Sequence, residues 1–220
     1  MKKIMALVLC IVFVVSLMAG CSSSGEAFSQ RAYTADGAQI RGIHMDVRDR
    51  EITVSPSPDD QIHLVYFENS KEYYDISVSA DKVLTITSES SKEWTDFIGG
   101  KPAAEDRKIS LQIPDALIGY LILSTTNEDI TLSALRIEDT VSLSANGGNI
   151  IFDTLDVGKA LALTAKNGNI SGTVAGSYDD FSIVTEIKKG ESNLPEKKEN
   201  GEKTLTVSCN NGDVDIAIGQ

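Results

Sequence analysis

The sequence predicts an all-β protein whose second half is a β-solenoid of stacked 20-residue rungs, preceded by a strand-rich lead-in. Three observations carry this. From Ile40 onward apolar residues recur at every second position and hardly ever at helical spacing. Apolar segments beginning at Leu121, Val141, Leu161 and Phe181 follow one another at a constant step of 20 residues. Turns rich in Asn, Gly and Asp fall at the same offset in most copies.

The chain starts Met1-Lys2-Lys3 and continues in an apolar run over residues 4–19 with no charge and a single hydroxyl, Ser16. A basic start and an apolar middle make a signal peptide. The run falls short of the roughly 20 apolar residues that a spanning helix needs, so residues 1–20 read as a cleaved leader. Leu17-Met18-Ala19-Gly20-Cys21 resembles the lipobox of bacterial lipoproteins, with Met18 where leucine is commonest. The resemblance implies that the Cys21 thiol is acylated and that the chain is cut just before it. Each buried methylene contributes roughly 0.8 kcal/mol, so more than one acyl chain anchors stably to a membrane. Residues 21–38 then read as the lipidated cysteine and a flexible tether, which begins Ser22-Ser23-Ser24-Gly25.

The full sequence carries 20 basic and 32 acidic residues, a formal net charge of −12. Loss of Lys2 and Lys3 with the leader leaves 18 basic residues against the same 32 acids, a net charge of −14. Nucleic acid is excluded as a partner, because phosphate contacts need clustered Lys and Arg. Of the three cysteines, Cys10 leaves with the leader and Cys21 carries lipid, so Cys209 has no partner for an intramolecular disulfide. His44 and His63 are far apart and there is no Cys/His cluster, so no metal site and no cofactor are expected.

Residues 39–108 form the lead-in. Strands are expected over residues 43–47, 52–54, 62–66, 74–78 and 83–87, separated by turn chemistry at Asp49-Arg50, 56–60, 68–72 and 80–82. An irregular stretch over residues 88–108 holds Trp94, Phe97 and Gly99-Gly100. Residues 109–113 resume strand, and Pro114 ends it.

Residues 109–220 form the repeat. A fifth copy, starting at Leu205, comes 24 residues after the fourth. Each unit holds a short strand, a turn expected to need positive φ such as Asn167-Gly168-Asn169, and a second short strand such as residues 150–152. So small a unit cannot bury its own apolar face, whereas stacking places Leu123, Leu143, Leu163, Ile183 and Val207 in one column. A meander of Asn-Gly hairpins is the alternative, but hairpins have no reason to keep a step of 20. The stretch over residues 188–203 mixes both charges and reads as a solvated loop.

The lead-in ending Ile109-Ser110-Leu111-Gln112-Ile113-Pro114 and the Asn-Gly-Asn-Ile and Asn-Gly-Asp-Val rungs are similar to a bacterial adhesin-like family of unknown function, related to autotransporter adhesin head domains. The resemblance spans residues 40–218. It implies a surface-exposed binding or scaffolding role without catalysis.

The column Asp129, Asn149, Asn169 and Asp213 could offer oxygens to calcium but reads as turn residues. Cys209 shares a column with Thr125, Ala145, Ala165 and Thr185, which fits a small buried residue. Neither histidine has a partner at triad spacing. Trp94, Phe97, Tyr73 and Tyr74 are the aromatics expected to be exposed for binding. The leading reading is a lipid-anchored envelope protein, on the extracytoplasmic face of the cell membrane, that binds or scaffolds a cell-surface protein or glycan. A stress-sensing or regulatory lipoprotein acting through a membrane partner is the alternative. A polysaccharide-active enzyme is disfavoured, since no carboxylate pair with basic neighbours lines one face of the rungs.

Overall fold

Strands of the repeat lie parallel to their next copies and in register. The computed structural model describes residues 26–92, 101–116 and 118–219. In one sheet β8 (Tyr120–Thr125), β11 (Thr140–Ala145) and β13 (Ala160–Asn167) are neighbours, with Leu123, Leu143 and Leu163 in line. The second strands of the same copies form a second sheet. There β9 (Ile130–Leu132), β12 (Ile150–Val157) and β14 (Ile170–Ala175) align Ile130, Ile150 and Ile170, and β10 (Leu135–Ile137) continues beside β12. Hairpins would make consecutive strands antiparallel, so the parallel register decides for stacked rungs.

The lead-in belongs to the same stack. Its strands are β1 (Ser29–Asp36), β2 (Gly42–Asp46), β3 (Glu51–Pro56), β4 (Gln61–Glu68), β5 (Glu72–Val78), β6 (Val83–Ser90) and β7 (Lys108–Ile113). β2 lies parallel between β6 and β8, and β3 lies parallel between β7 and β9. Antiparallel β1–β4 and β5–β6 finish that end. β1 starts at Ser29, inside the stretch read as a flexible tether. Its eight residues pair with the whole of β4, from Ser29 opposite Glu68 to Asp36 opposite Gln61. A strand held by backbone bonds to a neighbour needs little apolar patterning of its own.

The last two copies stack in an order the repeat does not reveal. β15 (Phe181–Lys189) pairs with β17 (Lys203–Asn211), and β17, not β15, lies against β13. The chain leaves β14 through a capped 3-10 turn, Tyr178–Asp180, and passes one strand width to the outer edge. It makes the two-residue β16 (Lys197–Lys198), then returns to lay β17 into the gap between β13 and β15 and β18 (Val214–Gly219) along β14. Ile183 therefore faces Leu205, and Thr185 faces Val207. The expected column of Ile183 with Val207 is displaced by two residues. A slip of two keeps inward side chains inward, so hydrophobic alternation is blind to it.

The two sheets run β1-β4-β7-β3-β9-β12-β14-β18 and β16-β15-β17-β13-β11-β8-β2-β6-β5. Between them one buried core continues from Ile40 to Ile216. Ile43, Leu84, Leu121, Val141, Leu161 and Leu205 form a column in one wall, and Ile52, Ile109, Ile130, Ile150 and Ile170 form one in the other. Each such side chain contributes about 1.5–3 kcal/mol on burial, which is how units too small to fold alone become a domain.

Glycine at the rung corner is required by close approach and not, as expected, always by positive φ. Among the turn glycines Gly212 has φ 153°, but Gly148 and Gly168 are not in that region. A Cβ on Gly148 would meet the Glu128 carbonyl oxygen at 2.1 Å, and one on Gly168 would meet that of Gly148 at 2.1 Å. The rung without glycine, Asn127-Glu128-Asp129, abuts the lead-in, and its Glu128 carboxylate pairs with Arg107.

Candidate functional site

The end of the stack formed by β1, β4, β5 and β6 gathers a set of polar side chains around one buried cation. Arg50 follows the corner residue Asp49, whose φ is 53°, and is turned inward to 3% exposure. Its Nε donates to the Tyr74 hydroxyl at 2.7 Å, and Nη2 donates to Glu72 Oε2 at 2.9 Å. Nη1 donates to the carbonyls of Arg48 and Asp49 at 3.3 and 3.2 Å. Lys92 Nζ reaches the other Glu72 oxygen at 2.5 Å. Phe28 lies 5.9 Å from the guanidinium carbon, and the Tyr66 and Tyr74 rings meet edge to face at 5.0 Å. Burial works against the charge on Arg50, but Tyr74 and Glu72 more than compensate and hold its pKa above the ordinary value. Burial pushes the Tyr66 phenol up to about 12, and raises Tyr74 as well. None of these three groups is poised to exchange a proton near neutrality, so the cluster is a fixed bracket.

Beside the bracket is a small depression of about 200 Å³, lined by Arg48, Arg50, Glu72, Tyr73, Ser88 and Glu89. Tyr73 and Tyr74 occupy opposite faces of β5. Tyr74 turns towards Arg50 and is half-buried, whereas Tyr73 is 41% exposed. Of the four aromatics expected to bind, Tyr73 alone of the two described is available to a partner. Trp94, Phe97 and Cys21 lie outside the described residues. Sequence reasoning passed over Arg50, a charged residue in a turn. Its one signal was the pair of tyrosines and Glu72 on the strand that covers it.

His44 is exposed, and His63 bonds to Asp59 Oδ1 at 2.9 Å. The Ser57 hydroxyl donates to the same Asp59 oxygen at 3.0 Å. Ser57, Asp59 and His63 thus meet, but the carboxylate sits between serine and imidazole. A nucleophilic triad needs the imidazole against the hydroxyl. A backbone bond from Gln61, followed by His63, keeps the Asp59 carboxyl below the usual range.

The Asp/Asn column spends its oxygens within the stack. Asp129 Oδ1 accepts from Asn149 N–H at 2.7 Å, Asn149 Oδ1 from Asn169 N–H at 2.9 Å, and Asn169 Oδ1 from Asp213 N–H at 2.9 Å. This ladder ties each corner to the next rung. Cys209 is fully buried beside Ala165, and burial, with Asp213 nearby, pushes its thiol pKa up.

A crystal structure of a candidate cell adhesion protein from Clostridium sporogenes superposes with a TM-score of 0.53 at 11% identity, covering 88% of this chain and 100% of that one. Candidate adhesins from Parabacteroides merdae and Bacteroides fragilis give TM-scores of 0.41 and 0.39 at 16% and 14% identity. These cover 88% and 86% of this chain and 82% and 96% of theirs. Identities this low show the fold alone. No curated protein matches the sequence. The Toastrack DUF4097 family model matches residues 40–175, from just before β2 to the end of β14. The chain belongs to the Toastrack DUF4097 family.

Proposed function

We propose that this protein is a lipid-anchored component of the cell envelope, held by Cys21 on the extracytoplasmic face of the membrane, with a non-catalytic, adhesin-like binding or scaffolding role. The observation that carries the reading is the bracket around Arg50. Its polar atoms are consumed in mutual bonds while Tyr73 stands exposed beside them. Such a surface holds a partner without transforming it. Tyr73 supplies contact area at small conformational cost, and Trp94 and Phe97 are proposed as further contacts.

The lipobox over residues 17–21 supports the anchor. The Asn69 side-chain amide donates to the Glu26 carbonyl at 3.2 Å, and the Ser70 hydroxyl bonds to the Glu26 carboxylate. From Cys21 to Glu26 an extended chain reaches at most roughly 18 Å, so the end carrying Tyr73 is the one nearest the lipid. That nearness favours, as a second reading, regulation through a membrane partner. Cys21→Ser tests the anchor. The variant is expected to lose incorporation of labelled fatty acid and to accumulate as uncleaved precursor; labelling that persists would refute it.

A further inference from the structure

An outermost strand offers the place beside it to another chain, and natural sheets close such edges with short strands, lysines or a covering loop. At the end of β15 and β18 both sheets are closed in this way. β15 carries on its free side only the two-residue β16, Lys197–Lys198. The Asn193 side chain stands in for a strand beside β18, donating to the Ile216 carbonyl and accepting from the Ile216 N–H at 3.0 Å each. β5, outermost at the opposite end, has no such device. Its seven residues include no Lys, Arg, Pro or Gly, and its pairing with β6 runs without a register break.

The β5–β6 ladder determines which backbone groups of β5 are free. Ser91 N–H donates to the Lys71 carbonyl and Ser79 N–H to the Val83 carbonyl, both at 3.0 Å. Antiparallel pairs alternate between bonded and non-bonded. Tyr73, Asp75 and Ser77 therefore bond to β6, while the N–H and C=O groups of Glu72, Tyr74, Ile76 and Val78 turn away from it. Asn69 closes Glu72, donating its N–H to the Glu72 carbonyl at 2.9 Å and accepting the Glu72 N–H on Oδ1 at 2.8 Å. Tyr74, Ile76 and Val78 remain, each with one backbone donor and one acceptor that meet no partner among the described residues. Their side chains share one face of the strand, Tyr74 and Ile76 half-buried and Val78 40% exposed.

An extended backbone presents donors and acceptors at that spacing, and a second copy of β5 does so with nothing left over. In the antiparallel register centred on Ile76, Ile76 faces its own copy, Tyr74 faces Val78 and Asp75 faces Ser77. Every free N–H and C=O of both strands is then paired, aromatic and β-branched side chains meet across the joint, and no charge lies directly opposite a like charge. Centring on Asp75 instead sets two carboxylates opposite each other and spends Val78 on the closed Glu72. Glu26 is held by Asn69 and Ser70 just before β5, so the tethers of both copies leave beside the joint and can reach one membrane. We infer that β5 pairs with β5 of a second copy, centred on Ile76, and joins two stacks end to end in a two-fold symmetric dimer.

This goes beyond the anchored-binder reading, and its hydrogen bonds use neither the Tyr73 ring nor the lipid, so either can fail without the other. Asp75 and Ser77 form a non-hydrogen-bonded pair across the joint, with Cα atoms about 4.5 Å apart, within the reach of a disulfide. Full-length Asp75→Cys and Ser77→Cys proteins in detergent micelles are mixed and oxidised; Cys209 is buried and does not compete. A covalent dimer of one chain of each is expected, about ten-fold above the yield from either variant alone, whose cysteines lie diagonally across the joint. Val78→Pro tests the backbone bonds. The Val78 N–H faces away from β6, where an edge strand tolerates proline, so in this background the fold and melting temperature should persist while the cross-link and the dimer mass in light scattering are lost. If Val78→Pro misfolds, Val78→Lys at the same exposed position decides, with the same losses expected. A monomeric mass for the uncross-linked wild type would overturn the inference, and is the result if residues 93–100 of the same chain or a strand of another protein cover the edge. So would growth beyond a dimer, equal cross-linking in the mixture and in the single variants, or an undiminished cross-link in a folded Val78 variant.

Discussion

Arg50 is the residue on which the end of the stack formed by β1, β4, β5 and β6 converges, and its neighbours set how that end responds to pH. A phenol in an unfolded chain ionises near pH 10, whereas Tyr66 in the fold does so at about 12. Between those values the native state keeps a proton that the unfolded state has lost. Stability is therefore intact below about pH 10 and declines as pH rises towards about 12. Tyr66→Phe removes this titration, and its melting temperature should fall less across that interval than that of the wild type. An equal fall would mean that Tyr66 is not held neutral. Cys209 provides a second check at this scale. Fully buried and with its thiol pKa raised, it should resist maleimide in the folded protein and react once denatured. Rapid modification of the native chain would place its column outside the core.

At the scale of the element, the rung corner determines how closely copies stack. Gly168→Ala would drive a Cβ to 2.1 Å from the Gly148 carbonyl oxygen, and a loss of about 2–4 kcal/mol is expected in chemical denaturation. Gly219→Ala, whose Cβ meets nothing within 4 Å, should be neutral. Equal stability of the two variants would show that the corner tolerates spreading. The rungs were legible because each of Leu123, Leu143 and Leu163 must face inward at the same offset. The placement of β17 between β13 and β15 was not, because a skipped strand position and a two-residue slip leave that alternation unchanged. β1 was also hidden, since its partner is β4 and its own residues are mostly polar or small. The Arg50 bracket joins residues more than 20 positions apart, and no local pattern announces such a meeting.

At the scale of the whole molecule, the two ends of the stack are finished differently. The end of β15 and β18 is closed by residues 190–198, through the bridge of Ser192 to Val214 and the pairing of β16 with β15. At the opposite end β1 and β5 are the outermost strands of the two sheets, and Tyr73 stands on one of them. That end lies nearest the proposed lipid. A rigid stack held this way can present a surface without moving parts, which is what a binding or scaffolding role requires. The most direct measurement is a cross-linking pull-down of the lipidated protein from intact cells, comparing the wild type with Tyr73→Ala of equal melting temperature. An exposed aromatic that anchors a partner contributes more than about 1 kcal/mol, so recovery of the surface component should fall at least about five-fold in the variant. Recovery of the same component in the same yield from both proteins would contradict a binding role for this end of the stack.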